Sequence, residues 1–336
     1  MKKHPLILLS VLLSVMTATM LFTGRFHDLT PSAVFDLADA LLHGTTLSAA
    51  QENRYITLFY IRFPRIMAAI LVGAALAVSG ACYQSVFMNP LVSPGILGVL
   101  AGASFGAGVG IVLFDSSLLA TQIFAFAFAC CAVGLALLFS VFLHWRSLLI
   151  LLLGGMISAS LFTSLTAFMK FLADTDTQLP ELTYWLMGSF ARVETGSVIC
   201  VGLPCIALVL YLCLQGKTVN ILSMGDEEAL SMGIAVGWAR LKIIVCATLL
   251  SAFTVVLAGI VGWVGLVIPH IVRFLTGPDN RILLPASAMT GAIFVLITDS
   301  IARTVFTAEL PIGVYTSLVS LPVFAVTLYT NRTGWR

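Results

Sequence analysis

Charge is scarce in this sequence. Of its 336 residues only 10% are Asp, Glu, Lys or Arg, while 60% are hydrophobic, and the mean hydropathy is +1.06. Soluble domains carry about a quarter charged residues, so a water-soluble fold is excluded. The acids that do occur avoid the deep apolar runs. That argues against the buried proton or sodium relay of an ion-coupled secondary transporter, which stays only as a remote alternative. The seven cysteines (Cys82, Cys130, Cys131, Cys200, Cys205, Cys213 and Cys246) form no Cys-x-x-Cys pair and no metal-ligand spacing with histidine. They read as small buried hydrophobes, and no metal site is expected. His270 has no second histidine, carboxylate or cysteine placed with it, which leaves an embedded enzyme without a catalytic constellation. It reads as a hydrogen-bonding residue beside Pro269. A P-loop is missing too: Gly216-Lys217-Thr218 would need a glycine at position 211, where Tyr211 stands. The chain is not expected to bind ATP, and no nucleic-acid partner is expected.

What is present is a succession of apolar runs long enough to cross a bilayer, which takes about 20 residues each. About ten can be drawn: Leu6–Phe22, Ile66–Phe87, Ile96–Phe114, Ser117–Leu143, Leu148–Phe171, Ser197–Leu214, Leu241–Ile260, Leu266–Leu275, Ile282–Thr304 and Ile312–Tyr329. The eighth is too short to cross at full width. Lys2 and Lys3 before the first run imitate a secretory signal, but no clean cleavage site follows, so an uncleaved span is expected. With the N-terminus inside, Lys2, Lys3, Arg146, Lys217, Arg240, Lys242, Arg273, Arg281, Arg332 and Arg336 fall on the cytoplasmic side. Arg25, Arg54, Arg62, Arg65, Lys170, Arg192 and Arg303 fall outside, and both termini are cytoplasmic. The reading is one transmembrane domain over 1–336, with outward loops near 24–61 and 171–196 and a cytoplasmic loop near 215–240.

Several local patterns stand out. Pro31–Leu42 has the pattern of an amphipathic helix in the first outward loop, which also holds Asp28. Gly98, Gly102, Gly106 and Gly110 recur every fourth residue on one helix face. They admit a neighbouring backbone closely, either within the subunit or along a path or subunit seam. Leu222-Ser223-Met224-Gly225-Asp226-Glu227-Glu228-Ala229-Leu230-Ser231-Met232-Gly233 reads as two short helical turns hinged at glycine. Its acids would complement a helix dipole, and its apolar residues in a charged loop suggest a docked surface. Asp299 and Arg303, four apart, can pair near the outer boundary.

Gly262–Arg281 (GWVGLVIPHIVRFLTGPDNR) combines an apolar run, Pro269, His270 and a charged turn. Helix breakers at membrane depth are tolerated only where protein surrounds the freed backbone, so it reads as a short re-entrant or broken helix. Tyr83–Gly98 (YQSVFMNPLVSPGILG) must end one helix and start another. These stretches, with the Trp185-x-Met187-Gly188, Asp299-x-x-Ala302-Arg303 and Glu309-Leu310-Pro311-x-Gly313 patterns, resemble in order the FecCD family of ABC-importer permeases. In Tyr83–Gly98 the matches are Gln84, Asn89, Pro90, Leu91, Pro94, Leu97 and Gly98. Met88 stands where relatives often carry arginine, and Ser320-Leu321-Pro322 keeps only the proline of the usual Gly-Ala-Pro.

The resemblance implies an all-α, ten-helix type II ABC importer permease in the inner membrane of a bacterium. It implies a homodimer around a central path, two ATP-binding subunits below, and a periplasmic or lipid-anchored substrate-binding protein above. ATP and Mg would sit on the partner ATPase, with no cofactor on this chain. Leu222, Ser223, Met224, Gly225, Asp226, Glu227, Glu228, Ala229, Leu230 and Gly233 would form the coupling element that seats in the ATPase. Arg62, Arg65 and Arg303 would receive carboxylates of the binding protein. Asn89, Pro90, Gly98, Gly102, Gly106, Pro269 and His270 would serve the structure or the path. Iron-siderophore is the expected cargo, with haem, cobalamin and molybdate as alternatives.

Overall fold

Among the described residues, seven helices long enough to span and three shorter ones follow the apolar runs of the sequence. The computed structural model describes residues 4–24, 29–43, 46–142, 148–304 and 309–330, and all regular structure among them is helical. Lys2, Lys3, Arg25, Asp28, Arg146, Arg332 and Arg336 lie outside the described residues. The elements are α1 (His4–Phe22), α2 (Pro31–Leu42), α3 (Ala49–Ile56), a π-helical turn (Thr57–Arg62), α4 (Phe63–Val86), a 3-10 turn (Pro94–Leu97) and α5 (Val99–Leu113). There follow α6 (Leu118–Phe142), α7 (Leu148–Leu172), α8 (Gln178–Leu186), α9 (Thr195–Leu214), α10 (Gly216–Leu222), α11 (Asp226–Ser231), α12 (Val236–Ala258), α13 (Val264–Thr276), α14 (Asn280–Thr304) and α15 (Ile312–Thr330). Among the described residues seven helices are long and apolar enough to span, and α5, α13 and α15 are shorter apolar helices.

The connection between α1 and α4 is more helical than expected. Ser48 caps α3 through a capping box with Gln51, the side-chain reciprocity that starts a helix. From there the chain runs without a break into α4. Pro64, which lacks an N–H, sits in the first turn of α4, and the preceding π turn lets Phe63 N–H reach the Leu58 carbonyl.

Helix α4 is the axis, packed by α14, α12, α13 and α9. Lipid is as apolar as a helix surface, so association in a bilayer relies on close packing and polar bonds. Both are present here. Gly73 abuts the Gly291 backbone of α14, where a Cβ would stand 2.6 Å from the Gly291 carbonyl carbon. Gly80 meets Gly265 of α13, where a Cβ would stand 2.7 Å from the Gly265 Cα. Ser79 Oγ donates to the Ala247 carbonyl (2.8 Å) and lies 2.8 Å from Ser251 Oγ, while Tyr83 Oη and Thr248 Oγ1 are 2.7 Å apart.

The glycine stripe of α5 resolves into packing within the chain. Gly102 and Gly106 face the Phe128 and Phe124 backbone of α6, and a Cβ at Gly110 would stand 2.6 Å from the Thr121 nitrogen. The stripe is therefore covered by α6 and does not line an open path. Gly98 takes the left-handed φ of +85° that joins the 3-10 turn to α5 beside Ser158 and Ala159 of α7.

The segment expected to be short and re-entrant or broken is α13, which is short but runs as one continuous helix through Pro269. Pro269 lies inside it and cannot bond the Gly265 carbonyl four residues back, which is the carbonyl that Gly80 approaches. Gln84 Nε2 donates to the next carbonyl, Leu266 (2.9 Å), so α4 supplies hydrogen bonding to α13.

Candidate functional site

The end of the bundle that holds α10 and α11 carries the first constellation. Helices α10 and α11 meet at Gly225, whose φ of 117° and ψ of 166° belong to backbone space open essentially to glycine alone. Gly225 stands at the N-cap of α11, no side chain caps it, and Asp226, Glu227 and Glu228 occupy its first turn, where a carboxylate is favoured by the helix dipole. Leu222 and Ala229 are fully buried and root the two helices, whereas Met224, Leu230 and Met232 are each more than half exposed. An ion pair between Asp226 and Arg240 ties α11 to α12. Gly233, at φ +80°, turns the chain into α12. The expected coupling residues thus split into two inward anchors and an apolar outward face.

Behind α10 lies a relay that sequence reasoning missed. Asn220 Nδ2 donates to Asp279 Oδ1 (2.8 Å), and its Oδ1 accepts from the Asn280 backbone N–H (2.8 Å) and Nδ2 (2.9 Å). Ser85 Oγ at the end of α4 donates to Asn280 Oδ1 (2.9 Å). Alongside, Arg273 Nη1 donates to Gln84 Oε1 (3.0 Å). Hydrogen bonds from Arg281, joined by one from Asn220, hold the Asp279 carboxyl well below the usual carboxylate range. A depressed carboxylate contributes stability at neutral pH that is lost only as pH falls through the lowered value. The relay is therefore expected to be unchanged between about pH 5 and 8 and to fail only in strong acid; hydrogen exchange at 279–281 across that range checks this. Gln84 and Ser85 belong to the Tyr83–Gly98 stretch and Arg273, Asp279 and Asn280 to Gly262–Arg281, but nothing in either stretch pointed to Asn220. Asn220 and Asn280 are 60 residues apart, and no local pattern joins them.

The opposite end holds an ion cluster. Arg65 binds Asp299 through Nε (3.0 Å) and Nη2 (2.9 Å), and Glu309 through Nη1 (3.0 Å). Arg303 Nε adds a bond to Asp299 (3.1 Å), the helical pair anticipated from spacing. Arg62 Nη1 donates to the Leu21 carbonyl at 2.6 Å, tying α1 to the start of α4. This corrects the picture of three arginines held out for a partner: Arg62 is 3% and Arg303 8% exposed, and Arg65 is engaged by two carboxylates. The physical reason is that the buried Asp299 needs compensating charge more than the aqueous rim does. Charge reversal at Arg303 is accordingly expected to lower the yield of folded protein, read as the monodisperse fraction in detergent.

Near this cluster an open cleft of about 430 Å³ is lined by Leu186, Met187, Ile260, Trp263, Val314 and Leu318, with Ser317 as a polar group. Trp263 holds a left-handed φ of 67° at the start of α13, an uncommon state for a bulky residue. Pro269 and His270 are buried within α13, and the His270 ring meets Phe324 of α15 edge-on at 5.6 Å. Asn89 and Pro90 lie in the turn after α4, where Asn89 Oδ1 accepts from the Leu91 N–H (2.9 Å). No group of three or more His, Cys, Asp or Glu among the described residues could hold a metal.

Comparison with known proteins bears on this geometry. The FecCD transport family model matches residues 6–330. The chain is 36% identical to the molybdate import system permease protein MolB of Haemophilus influenzae, over 97% of this chain and 95% of that protein. It is 38% identical to the vitamin B12 import system permease protein BtuC of Salmonella typhimurium, over 84% and 85% of the two lengths. A solved metal-chelate type ABC transporter in an inward-facing conformation superposes with a TM-score of 0.86 at 34% identity, covering 97% of this chain and 98% of the other.

Proposed function

Since the chain belongs to the FecCD transport family and is the membrane-spanning permease of an ABC importer, we propose that it carries a metal-centred ligand through a path completed by a second copy. ATP hydrolysis resides in a separate ATPase subunit. The observation that carries the proposal is the apolar cleft beside α8, α13 and α15. It is open on one side, and α15 packs on α13 and α14 while Leu318 and Val326 on it stay more than 60% exposed. Half a channel needs its other half. A wall of apolar side chains with a lone hydroxyl offers no strong site in which a polar or chelated cargo would lodge.

In this reading the cytoplasmic face carries α10 and α11, two ATP-binding subunits grip Met224, Leu230 and Met232, and a substrate-binding protein delivers cargo on the far side. Both termini face the cytoplasm of a bacterial inner membrane. The cargo is a metal chelate or a metal oxyanion: relatives import molybdate and vitamin B12, and ferric siderophore belongs to the same chelate class. The test is ATPase activity of the reconstituted permease–ATPase complex with a binding protein loaded in turn with molybdate, cyanocobalamin or a ferric hydroxamate. Stimulation by one of them names the cargo. A permease that recruits no ATPase overturns the reading.

Coupling makes a sharper demand. Proline at position 225 cannot adopt a φ of 117°. Gly225→Pro is expected to reorient α11 and cut uptake by about tenfold or more, equivalent to ~1.4 kcal/mol of lost coupling. Co-purified ATPase would persist. Wild-type uptake by that variant, measured in proteoliposomes, would remove the hinge from the mechanism.

A further inference from the structure

We propose that Asn220 is the positioning residue that joins the ATPase-facing helices mechanically to the membrane-spanning bundle, an inference that rests on the importer reading above. The covalent joints around α10 and α11 are poor transmitters. Each short helix has a glycine at its boundary: Gly216 begins α10, Gly225 separates α10 from α11, and Gly233 follows α11. Helix α10 has seven residues, too few to be rigid without tertiary support. A push delivered to Met224 or Leu230 would bend these joints unless side chains brace them.

Asn220 provides the brace. Its carboxamide makes three hydrogen bonds of 2.8–2.9 Å, using donor and acceptor together, to two consecutive residues of the α13–α14 turn. Gly216 lets α10 close onto that turn, since a Cβ there would stand 2.9 Å from the Arg281 Cα. Asn280, 2% exposed, passes the connection to α4 through Ser85. Two helices leave the clasped turn. Helix α14, 25 residues long and so about 37 Å, lies against α4 at Gly291 and ends in the Asp299–Arg65 cluster. Helix α13 leads back through His270, against Phe324 of α15, toward Trp263 and the cleft. A displacement of Asn220 is thus delivered at once to the far ion cluster and to the cleft wall. Hydrogen bonds that use every polar atom of a part-buried amide tolerate little slack.

An exchange of partners separates this role from mere support. Asn220→Asp alone sets a second carboxylate against Asp279 and is expected to break the clasp. Asn220→Asp with Asp279→Asn is expected to restore it in part. The new carboxylate accepts from the amide at 279 and from both Asn280 donors. The Arg281 donors bound by Asp279 Oδ1 must turn to the amide oxygen and to water. The readout is hydrogen exchange of the permease–ATPase complex in nanodiscs with and without ATP and orthovanadate, followed at residues 176–194 and 259–263 on the far side. Wild type is expected to show an ATP-dependent change there. Asn220→Ala and Asn220→Asp are expected to co-purify with the ATPase yet lose that change by at least about fivefold, the lower range of coupling between sites. The exchanged pair is expected to recover it in part. A far-side response retained in Asn220→Ala, one absent in wild type, or no recovery in the exchanged pair would overturn the clasp. Failure of wild type to bind any ATPase would instead overturn the importer reading, so the two failures are distinct. Should Asn220→Ala not fold, the exchanged pair alone decides.

Discussion

Arg65→Ala is expected to destabilise the permease by roughly 3–5 kcal/mol, the cost of stranding a buried ion-pair partner. Asp299 is 2% exposed and receives two of its bonds from the Arg65 guanidinium, with Glu309 taking a third nitrogen. Removing Arg65 leaves Asp299 with Arg303 at 3.1 Å and leaves Glu309 without its bridge. It also unties α4 from α14 and from the segment leading into α15. Arg303→Ala should cost less, because the two-nitrogen grip of Arg65 remains. Arg65→Lys should fall between, since an ammonium is a point charge and cannot present the planar fork that two carboxylates share. Apparent melting in detergent, read by tryptophan fluorescence, checks the series. Equal melting for wild type and Arg65→Ala would show that the cluster carries no net stability.

The second large effect is expected at Gly80. A methyl group there would overlap the Gly265 carbonyl and stand 2.7 Å from the Gly265 Cα, and both obstacles are backbone. Rotation of a side chain cannot relieve that clash, so α4 and α13 must separate. The separation pulls Gln84 away from the Leu266 carbonyl and Arg273, removing the two side-chain hydrogen bonds by which α4 holds α13. Overpacking alone costs about 1–3 kcal/mol and sometimes more, and the lost hydrogen bonds add to it. Gly80→Ala is therefore expected to express poorly or elute as aggregate. Gly134→Ala is the control: nothing lies within 4 Å of its Cβ, and the change should be neutral or slightly favourable. Size-exclusion profiles of the two variants make the comparison, and a monodisperse Gly80→Ala would contradict the close approach of α4 to α13.

Much of the candidate site was legible as sequence because its parts are local. The glycine-hinged pair of short helices, the short Pro269 helix and the Asp299–Arg303 spacing each lie within about a dozen residues. The helix over Ala49–Arg62 was missed although its Ser48–Gln51 capping box was there to be read. The runs of polar residues about it suggested a surface loop. Arg62 and Arg65 were misdirected for a different reason. A span-end arginine next to proline suits an aqueous rim as well as it suits a buried bridge, and only partners 234 and 244 residues away turn Arg65 inward. The pairing of Asn220 with the Asp279–Asn280 turn was not legible, because the turn was visible as a motif but its partner is a single polar residue about 60 positions away.

Sequence by itself determined that this chain is a membrane protein of about ten apolar helices and which of them is short and carries a proline. The bilayer makes those properties local: each helix must satisfy its own backbone, so length and hydropathy suffice. Tertiary structure alone decided which helix is the centre. The windows in α1 and α4 have nearly the same hydropathy, 2.2 and 2.1, yet 6% of one and 78% of the other is buried. Lipid and protein interior are equally apolar, so hydropathy cannot tell them apart. What separates them is close packing at Gly73 and Gly80, together with a few polar bonds between residues distant in the chain.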